Sequence, residues 1–245
     1  MKFDIIGDIH GCYQELLLLI ERLGYQQQNS VFTHPEDRQL AFVGDAMDRG
    51  PESLNVLRLL FALQDANVLN YSPGNHCNKL FRFFKGHDVQ LAHGLEMTVH
   101  EWEQLPKSEK QQFRKRYIYF YEQLPHYQQV GDDLIIAHAG LKAEMIGKPV
   151  NRSIAAFVLY GDVTGKFQTD GRPIRRDWAK SYTGEQWIVY GHTPTEKPYI
   201  INRTVNIDTG CIFGGTLSAL RYPEKDVVSV PSLQPYQPDR FSTYD

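Results

Sequence analysis

Five short strand-like runs in this chain each end in a polar loop that places glycine beside aspartate, asparagine or histidine. The runs cover 3–6, 39–43, 67–72, 134–137 and 187–190, and they lead into GDIHG, GDAMDRG, PGNH, HAG and GHTP. Short apolar runs bounded by such loops are typical of strands. After each of the first three loops, apolar residues recur at helical spacing. This alternation predicts an α/β fold with polar loops at the strand ends.

The segment 97–124 has a different composition, with few β-branched residues and many Glu, Gln, Lys and Arg. Ser108 and Gln111 have the spacing of a capping box, which predicts a helix start there. We expect this segment to be a mostly helical insertion that forms a lid or a side wall.

Beyond Thr193 the apolar runs at 199–201, 204–208, 216–222 and 227–230 are typical of further sheet. The end of the chain, at about 231–245, is rich in proline and is expected to be extended over the surface. Neither a repeat nor a Gly-, Ser- or Pro-rich linker divides the 245 residues. The sequence therefore predicts a single domain over 1–245.

Composition limits the partners. A net charge of −3 gives no overall field that attracts nucleic acid or an anionic membrane. The longest apolar run, 154–160, is far shorter than the roughly 18 residues that span a bilayer. The chain begins without an apolar signal segment, and its three cysteines are widely spaced. We therefore expect a reduced, cytoplasmic protein with no nucleic-acid or membrane partner.

The polar loops supply a mixed set of possible metal ligands. Asp8 and His10 alone are weak evidence, because a loop aspartate often caps the following helix. However, loops at the carboxyl ends of strands in open α/β sheets gather at one crevice. The candidates are Asp8, His10, Asp45, Asn75, His138 and His192. Nitrogen and oxygen ligands in this number suit two ions of Mn, Fe, Zn, Ni or Co, with Mg less favoured.

The five motifs in this order resemble those of the binuclear metallophosphoesterases, in the branch that holds the Ser/Thr phosphoprotein phosphatases (PPP). GNHCNK, VLYGDVTG, DGRPIRRDW and NIDTGCIFGG extend the resemblance over nearly the whole chain. With these motifs the chain is most similar to the bacterial asymmetrical bis(5'-nucleosyl)-tetraphosphatases of the PrpE type. The resemblance implies a calcineurin-like fold, in which two mixed β-sheets form a sandwich flanked by helices.

The resemblance also implies a role for each motif. Asp8 and His10 would bind one metal, Asp45 would bridge both, and the second metal would be held by Asn75, His138 and His192. The same pattern implies catalytic roles for His76 as general acid, Asp48 as its partner and Arg49 on the phosphate. A second phosphate-binding arginine would be Arg175 or Arg176, a choice that the sequence leaves open. Cys77 replaces the glutamate of the protein phosphatases and is expected to be structural.

The implied reaction is cleavage of diadenosine tetraphosphate and related dinucleoside polyphosphates to AMP and ATP, by in-line attack of a metal-bridging hydroxide. Mn or Ni are the cofactors implied first, with Co, Fe, Zn or Mg as alternatives, and GTP binding is left open. Aromatic residues of the 97–127 region are candidates to stack an adenine, namely Trp102, Tyr117, Tyr119, Phe120 and Tyr121.

Two other functions remain open. The same metals and arginines would serve a Ser/Thr or Tyr phosphoprotein phosphatase, for which the charged 97–124 segment would bind a peptide. A catalytically silent metal-binding scaffold is disfavoured, because Asp48, Arg49 and His76 serve chemistry rather than metal retention.

Overall fold

The structure is a computed structural model that describes residues 1–28, 31–168 and 171–242. Asp170 of the DGRPIRRDW motif and residues 243–245 of the expected tail lie outside the described residues. The helices are α1 (Tyr13–Arg22), α2 (Ser53–Asp65), α3 (Asn75–Phe84), α4 (Leu95–Glu103), α5 (Lys107–Glu122) and α6 (Arg152–Tyr160). No helix in these described ranges combines the length and the apolar character needed to cross a membrane.

The strands form two five-stranded sheets and two small hairpins. In chain order they are β1 (Phe3–Ile6), β2 (Gln26–Gln28), β3 (Val31–Thr33), β4 (Gln39–Phe42), β5 (Asn70–Tyr71), β6 (Gln128–Val130), β7 (Leu134–Ile136), β8 (Val163–Phe167), β9 (Pro173–Arg175), β10 (Trp187–Tyr190), β11 (Tyr199–Ile201), β12 (Thr204–Asn206), β13 (Thr216–Tyr222) and β14 (Asp226–Pro231). The sheet orders are β14-β13-β1-β4-β5 and β11-β12-β10-β7-β6, with hairpins β2-β3 and β8-β9.

Both large sheets are mixed: the first has antiparallel pairing at one edge only, and the second has it at both edges. In the first, β1, β4 and β5 are parallel, and β13 runs antiparallel to β1 with Phe3 opposite Tyr222. In the second, β7, β10 and β12 are parallel, while β6 and β11 run antiparallel at its edges. Parallel strands end at the same edge of a sheet, so the loops after β1, β4, β5, β7 and β10 can meet.

The sheets pack face to face and helices cover their outer faces. Ile5 and Val43 of the first sheet share a buried cluster with Ile136, Val189 and Val205 of the second. Helices α1 to α5 contribute to a larger cluster outside the first sheet, and α6 packs in a separate cluster against the second. The α/β prediction and the expected sandwich of two mixed sheets are confirmed.

The structure differs from the sequence prediction at one helix start. Helix α5 begins at Lys107, its N-cap is Pro106, and no side chain caps it. The capping box predicted from Ser108 and Gln111 is therefore wrong, because Ser108 already lies inside the helix. Lys110 N bonds to Pro106 O at 2.9 Å, which shows that the first helical turn starts before the serine.

Candidate active site

Asp45, in the loop after β4, lies at the centre of the predicted ligands. Its carboxylate is 3.2 Å from His138 Nε2 and 4.0 Å from His10 Nε2, and it accepts a 3.1 Å hydrogen bond from the His76 backbone N–H. Burial alone would raise the pKa of this carboxyl, but the adjacent His138 and His76 hold the pKa well below its ordinary value. Asp45 is thus an anionic group that faces histidines on two sides.

Three predicted ligands meet on one side of Asp45. Nε2 of His138 is 3.0 Å from Oδ1 of Asn75 and 3.0 Å from Nδ1 of His192. The other ring nitrogen of His138 lies 3.2 Å from the Val43 carbonyl, which orients the imidazole. Asp45, His138 and His192 have their ligand atoms within 4.8 Å of one another.

His10 lies on the other side of Asp45. Its Nδ1 is 2.9 Å from the Met47 carbonyl, which leaves Nε2 directed into the site. Burial and the nearby Arg49 lower the pKa of His10 well below its ordinary value, so the ring is neutral and can act as a ligand. Ligand atoms of His10, Asp45 and His76 also lie within 4.8 Å of one another.

Asp8 lies slightly apart, beside a carboxylate that the ligand count from the sequence omitted. One Asp8 oxygen accepts a 3.1 Å hydrogen bond from the His192 backbone N–H. Burial raises the pKa of Asp8 well above its ordinary value, and the neighbouring Asp208 and Asp45 add to this shift. Asp208 itself is buried, with a pKa raised by burial to about 6. Asp208 lies in the NIDTG motif, and that motif was the sequence feature from which it could have been identified.

The arrangement fits divalent cations. Oδ1 of Asp8 and Nε2 of His192 are both buried without a hydrogen-bond partner, although buried polar atoms are normally paired. Clustered carboxylates beside neutral imidazoles are electrostatically unfavourable until a cation lies between them.

The backbone of the site is strained at the predicted residues. His10, Asp45, Asp48, Arg49 and His192 all have positive φ values between 41° and 75°. Non-glycine residues rarely adopt this region, and such strain concentrates at functional sites. Glycine is also required beside the ligands, because a Cβ at position 74 would overlap the Asp45 carboxylate and one at position 191 would overlap that of Asp8.

His76, at the start of α3, forms a dyad with Asp48. Nδ1 of His76 is 2.7 Å from Oδ2 of Asp48, and both side chains are buried. The Thr98 hydroxyl donates a 2.6 Å hydrogen bond to the other oxygen of Asp48. Thr98 lies on α4, so the 97–124 segment contributes directly to the site, a role that the sequence did not indicate.

The structure separates the arginine candidates. Arg49 extends over the ring of Phe213, and its Nη1 lies 2.8 Å from His10 Nε2. Arg175 lines the same cavity as His10, Asp45 and His192. Arg176 instead pairs with Asp162 at 2.9 Å and is absent from that cavity's wall.

This cavity, of about 680 Å³, lies over the ligand cluster and has a cationic wall. The charged side chains on the wall are Arg49, Lys79, Arg82, Arg172, Arg175 and Arg240, with Asp45 and Asp88 as the acidic ones. The aromatic residues on it are Tyr160, Phe167 and Phe213. A polyanion is the ligand class that matches such a wall.

None of the aromatic residues suggested for adenine stacking lines this cavity. Tyr117 and Phe120 are completely buried, and Trp102 and Tyr121 pack against the same helical core. Tyr119 is exposed but borders a different groove, between α2 and α5. The structure therefore does not support stacking by these residues in this cavity, because helical periodicity turns their rings toward the core or away from the site.

Cys77 is buried, with its sulfur 3.2 Å from the Tyr71 hydroxyl. Burial raises the pKa of its thiol to about 12. A thiol in this state is a poor nucleophile. Its surroundings agree with the structural role expected for the residue.

Comparisons with known proteins place this geometry in context. Residues 1–196 match the family described as calcineurin-like phosphoesterase. A relative named asymmetrical bis(5'-nucleosyl)-tetraphosphatase PrpE, from Geobacillus sp. strain WCH70, is 54% identical over 246 residues, which cover 100% of both chains. A relative of the same name from Bacillus cereus strain Q1 is 51% identical over 98% of both chains.

Solved structures share the fold. A chain that carries the name of a diadenosine tetraphosphatase superposes with a TM-score of 0.66 at 24% identity, covering 94% of this chain and 93% of that one. A cold-active protein-tyrosine phosphatase from a Shewanella species gives a TM-score of 0.59 at 17% identity, covering 93% and 80%. At these identities, the structural matches support the architecture and leave the substrate open.

Proposed function

This chain belongs to the calcineurin-like phosphoesterase family, and from that membership we propose that it is an asymmetrical bis(5'-nucleosyl)-tetraphosphatase. It hydrolyses diadenosine tetraphosphate to AMP and ATP, and it cleaves related dinucleoside polyphosphates by the same reaction. The observation that carries this proposal is the 54% identity to enzymes of that name along the full length of the chain. The cationic cavity over the ligand cluster supports it, because the substrate is a polyanion.

Two divalent ions would be held in the cluster around Asp45. Asp8 and His10 with Asp45 form one set of ligands, and Asn75, His138 and His192 with Asp45 form the other. When bound, such ions supply a nucleophile at neutral pH and Lewis-acid stabilisation of the phosphoryl group. Mn or Ni is the metal that the family resemblance implies first, and imidazole and carboxylate ligands together suit Co, Fe and Zn as well.

The protein side chains would bind the phosphate, orient it and move the proton. His76 donates a proton to the leaving oxygen, and Asp48 orients its ring through the 2.7 Å contact at Nδ1. Arg49 and Arg175 face the cavity and bind the oxygens of the attacked phosphate. A nucleoside ring can stack on Phe167, whose side chain is 68% exposed at the cavity wall.

The chain would act as one domain over 1–245, with α4 and α5 as its helical insertion. The three cysteines are buried free thiols, the state that a reducing compartment maintains. We therefore place the enzyme in the cytoplasm, which cell fractionation with an antibody against the chain would test.

The decisive experiment is to incubate metal-stripped protein with Mn, Ni, Co or Mg and diadenosine tetraphosphate, and to separate the products by chromatography. A parallel reaction contains a phosphopeptide. We expect AMP plus ATP, and formation of both slowed by about 10²–10⁴-fold in His76→Ala. Two ADP would contradict the cleavage position, and phosphate released from the peptide alone would assign the site to a phosphoprotein phosphatase.

A further inference from the structure

Helix α3 directs a row of side chains into the cavity. Asn75, His76, Lys79 and Arg82 all line it, at the i, i+3 and i+4 spacing that places residues on one helix face. The row starts at the ligand cluster and continues away from it. Lys79 and Arg82 are one and two turns beyond His76, about 4.5 and 9 Å along the helix axis at 1.5 Å per residue.

Lys79 is held in place but keeps its charge available. Its ammonium donates a 2.5 Å hydrogen bond to the Ala92 carbonyl, which leaves two N–H groups. Its side chain is partly buried in the cavity wall. Within residues 1–28, 31–168 and 171–242, no carboxylate forms a salt bridge with it, and Asp48 and Glu96 act on its charge only at longer range.

Arg82 is exposed at the far end of the row. Two cations outside the cavity wall are neutralised instead: Lys85 pairs with Glu122 at 3.2 Å and Arg176 pairs with Asp162 at 2.9 Å. Arg82 has no such ion pair in the described part of the chain. Two unneutralised cations therefore extend from the general acid along one helix face.

We propose that Lys79 and Arg82 bind the triphosphate of the ATP leaving group and thereby set the asymmetric cleavage position. The inference rests on the proposed function, in which His76 protonates the leaving oxygen. Whatever lies beyond His76 along α3 is then the leaving group. Cations at one and two turns accommodate three phosphates on that side, whereas central cleavage would require only two there.

The test compares Lys79→Met and Arg82→Met with Lys85→Met, which removes one positive charge from the same helix end outside the cavity. Binding of ATP and of AMP to the Mn-loaded proteins is measured by calorimetry, and the KM for diadenosine tetraphosphate is measured in parallel. Each Met substitution removes one charged hydrogen bond to the phosphates, so we expect ATP binding to weaken by roughly tenfold or more. We expect AMP binding to change less than about twofold, and the KM for the dinucleotide to rise with the ATP dissociation constant.

The outcomes separate the two proposals. If the unmodified chain makes AMP and ATP but neither Met variant weakens ATP binding, the subsite is wrong and the tetraphosphatase function stands. If the chain cleaves no dinucleotide but both variants still weaken ATP binding, Lys79 and Arg82 bind triphosphate, but the proposed function and their role in setting the cleavage position are wrong. Lys79→Arg, which keeps the charge, should restore ATP binding to within a few-fold. Equal loss in Lys79→Arg and Lys79→Met would instead indicate a structural role through Ala92.

Discussion

The imidazole of His76 lies 2.7 Å from the carboxylate of Asp48, and the second oxygen of that carboxylate accepts a 2.6 Å hydrogen bond from Thr98. An ionised carboxylate can only accept, so Nδ1 of His76 is the donor and Nε2 is left to face the cavity. The geometry gives the second aspartate of GDAMDRG, Asp48, a position as the partner of His76.

Replacing the two members of this dyad should reduce turnover to different extents. His76→Ala removes the acid and is expected to lower kcat by about 10²–10⁴-fold, while Asp48→Asn keeps the acid, loses its orientation and costs less. Steady-state kinetics with diadenosine tetraphosphate checks the order. Metal content should be unchanged in Asp48→Asn, and an equal loss of bound metal and activity would contradict the assigned role.

Arg175 and Arg176 offer a matched pair. Arg175→Ala is expected to lower kcat/KM by about tenfold or more, because it removes a charged contact with phosphate in the cavity. Arg176→Ala removes only an exposed ion pair with Asp162 and should change kcat/KM by less than about twofold. The reverse order in the measured kcat/KM would show that the loop rearranges when substrate binds.

Metal removal should abolish activity and lower stability. Chelation leaves Asp8, Asp45 and Asp208 close together without a cation, and a ligand at 100 times its dissociation constant stabilises the folded state by about 2.7 kcal/mol. We expect two ions per chain by elemental analysis and a higher unfolding temperature after reloading. His138→Ala should lose bound metal, whereas His87→Ala, at an exposed histidine, should retain both ions.

Aromatic substitutions should separate the cavity from the helical insertion. Phe167→Ala is expected to raise the KM for diadenosine tetraphosphate several-fold, since base stacking is worth about 1–3 kcal/mol per base. Tyr119→Ala, at the groove between α2 and α5, should leave the KM unchanged. An effect of Tyr119 alone would return the nucleoside site to the insertion.

Glu101 should give a local pH dependence to stability. It accepts hydrogen bonds of 2.8 and 3.0 Å from the backbone N–H groups of Ser53 and Leu54 at the start of α2, yet burial raises its pKa. The folded state therefore holds this proton at higher pH than the unfolded state, so the contribution of Glu101 is greatest at low pH and falls as the pH rises through the folded pKa. The free energy of unfolding, measured with urea at several pH values, should lack this pH-dependent contribution in Glu101→Gln. An identical pH dependence in both proteins would contradict the prediction.

Much of the fold follows from local patterns in the sequence. The strands at β1 and β10 begin and end at the predicted residues, because a short run with three or four apolar residues stops at a glycine loop in each case. The hairpin β8-β9 was not predicted, because β8 is mostly exposed and carries no strong alternation. The start of α5 was misplaced, because the capping-box pattern put the N-cap at Ser108 whereas the N-cap is Pro106.

The site was predictable as a set of residues but not as a network. The order of the motifs predicted that Asp45, His138 and His192 lie close together, and the structure places their ligand atoms side by side. Thr98 and Arg82 could not be found in this way. Thr98 acts through its contact with Asp48, and Arg82 through its position on the cavity wall. The sequence of a helix does not show which of its faces packs against a given neighbour.

The position of β1 in the middle of its sheet has a consequence for biosynthesis. Its two neighbours are β4 and β13, and the second of these is made only when the ribosome reaches residues 216–222. GDIHG leaves the exit tunnel first, but its strand lacks one partner until synthesis is nearly complete. The nascent chain therefore carries the predicted metal-ligand motifs on an unfinished sheet, and contacts this distant in sequence form slowly. Truncation before β13 should yield a product that aggregates rather than a smaller enzyme.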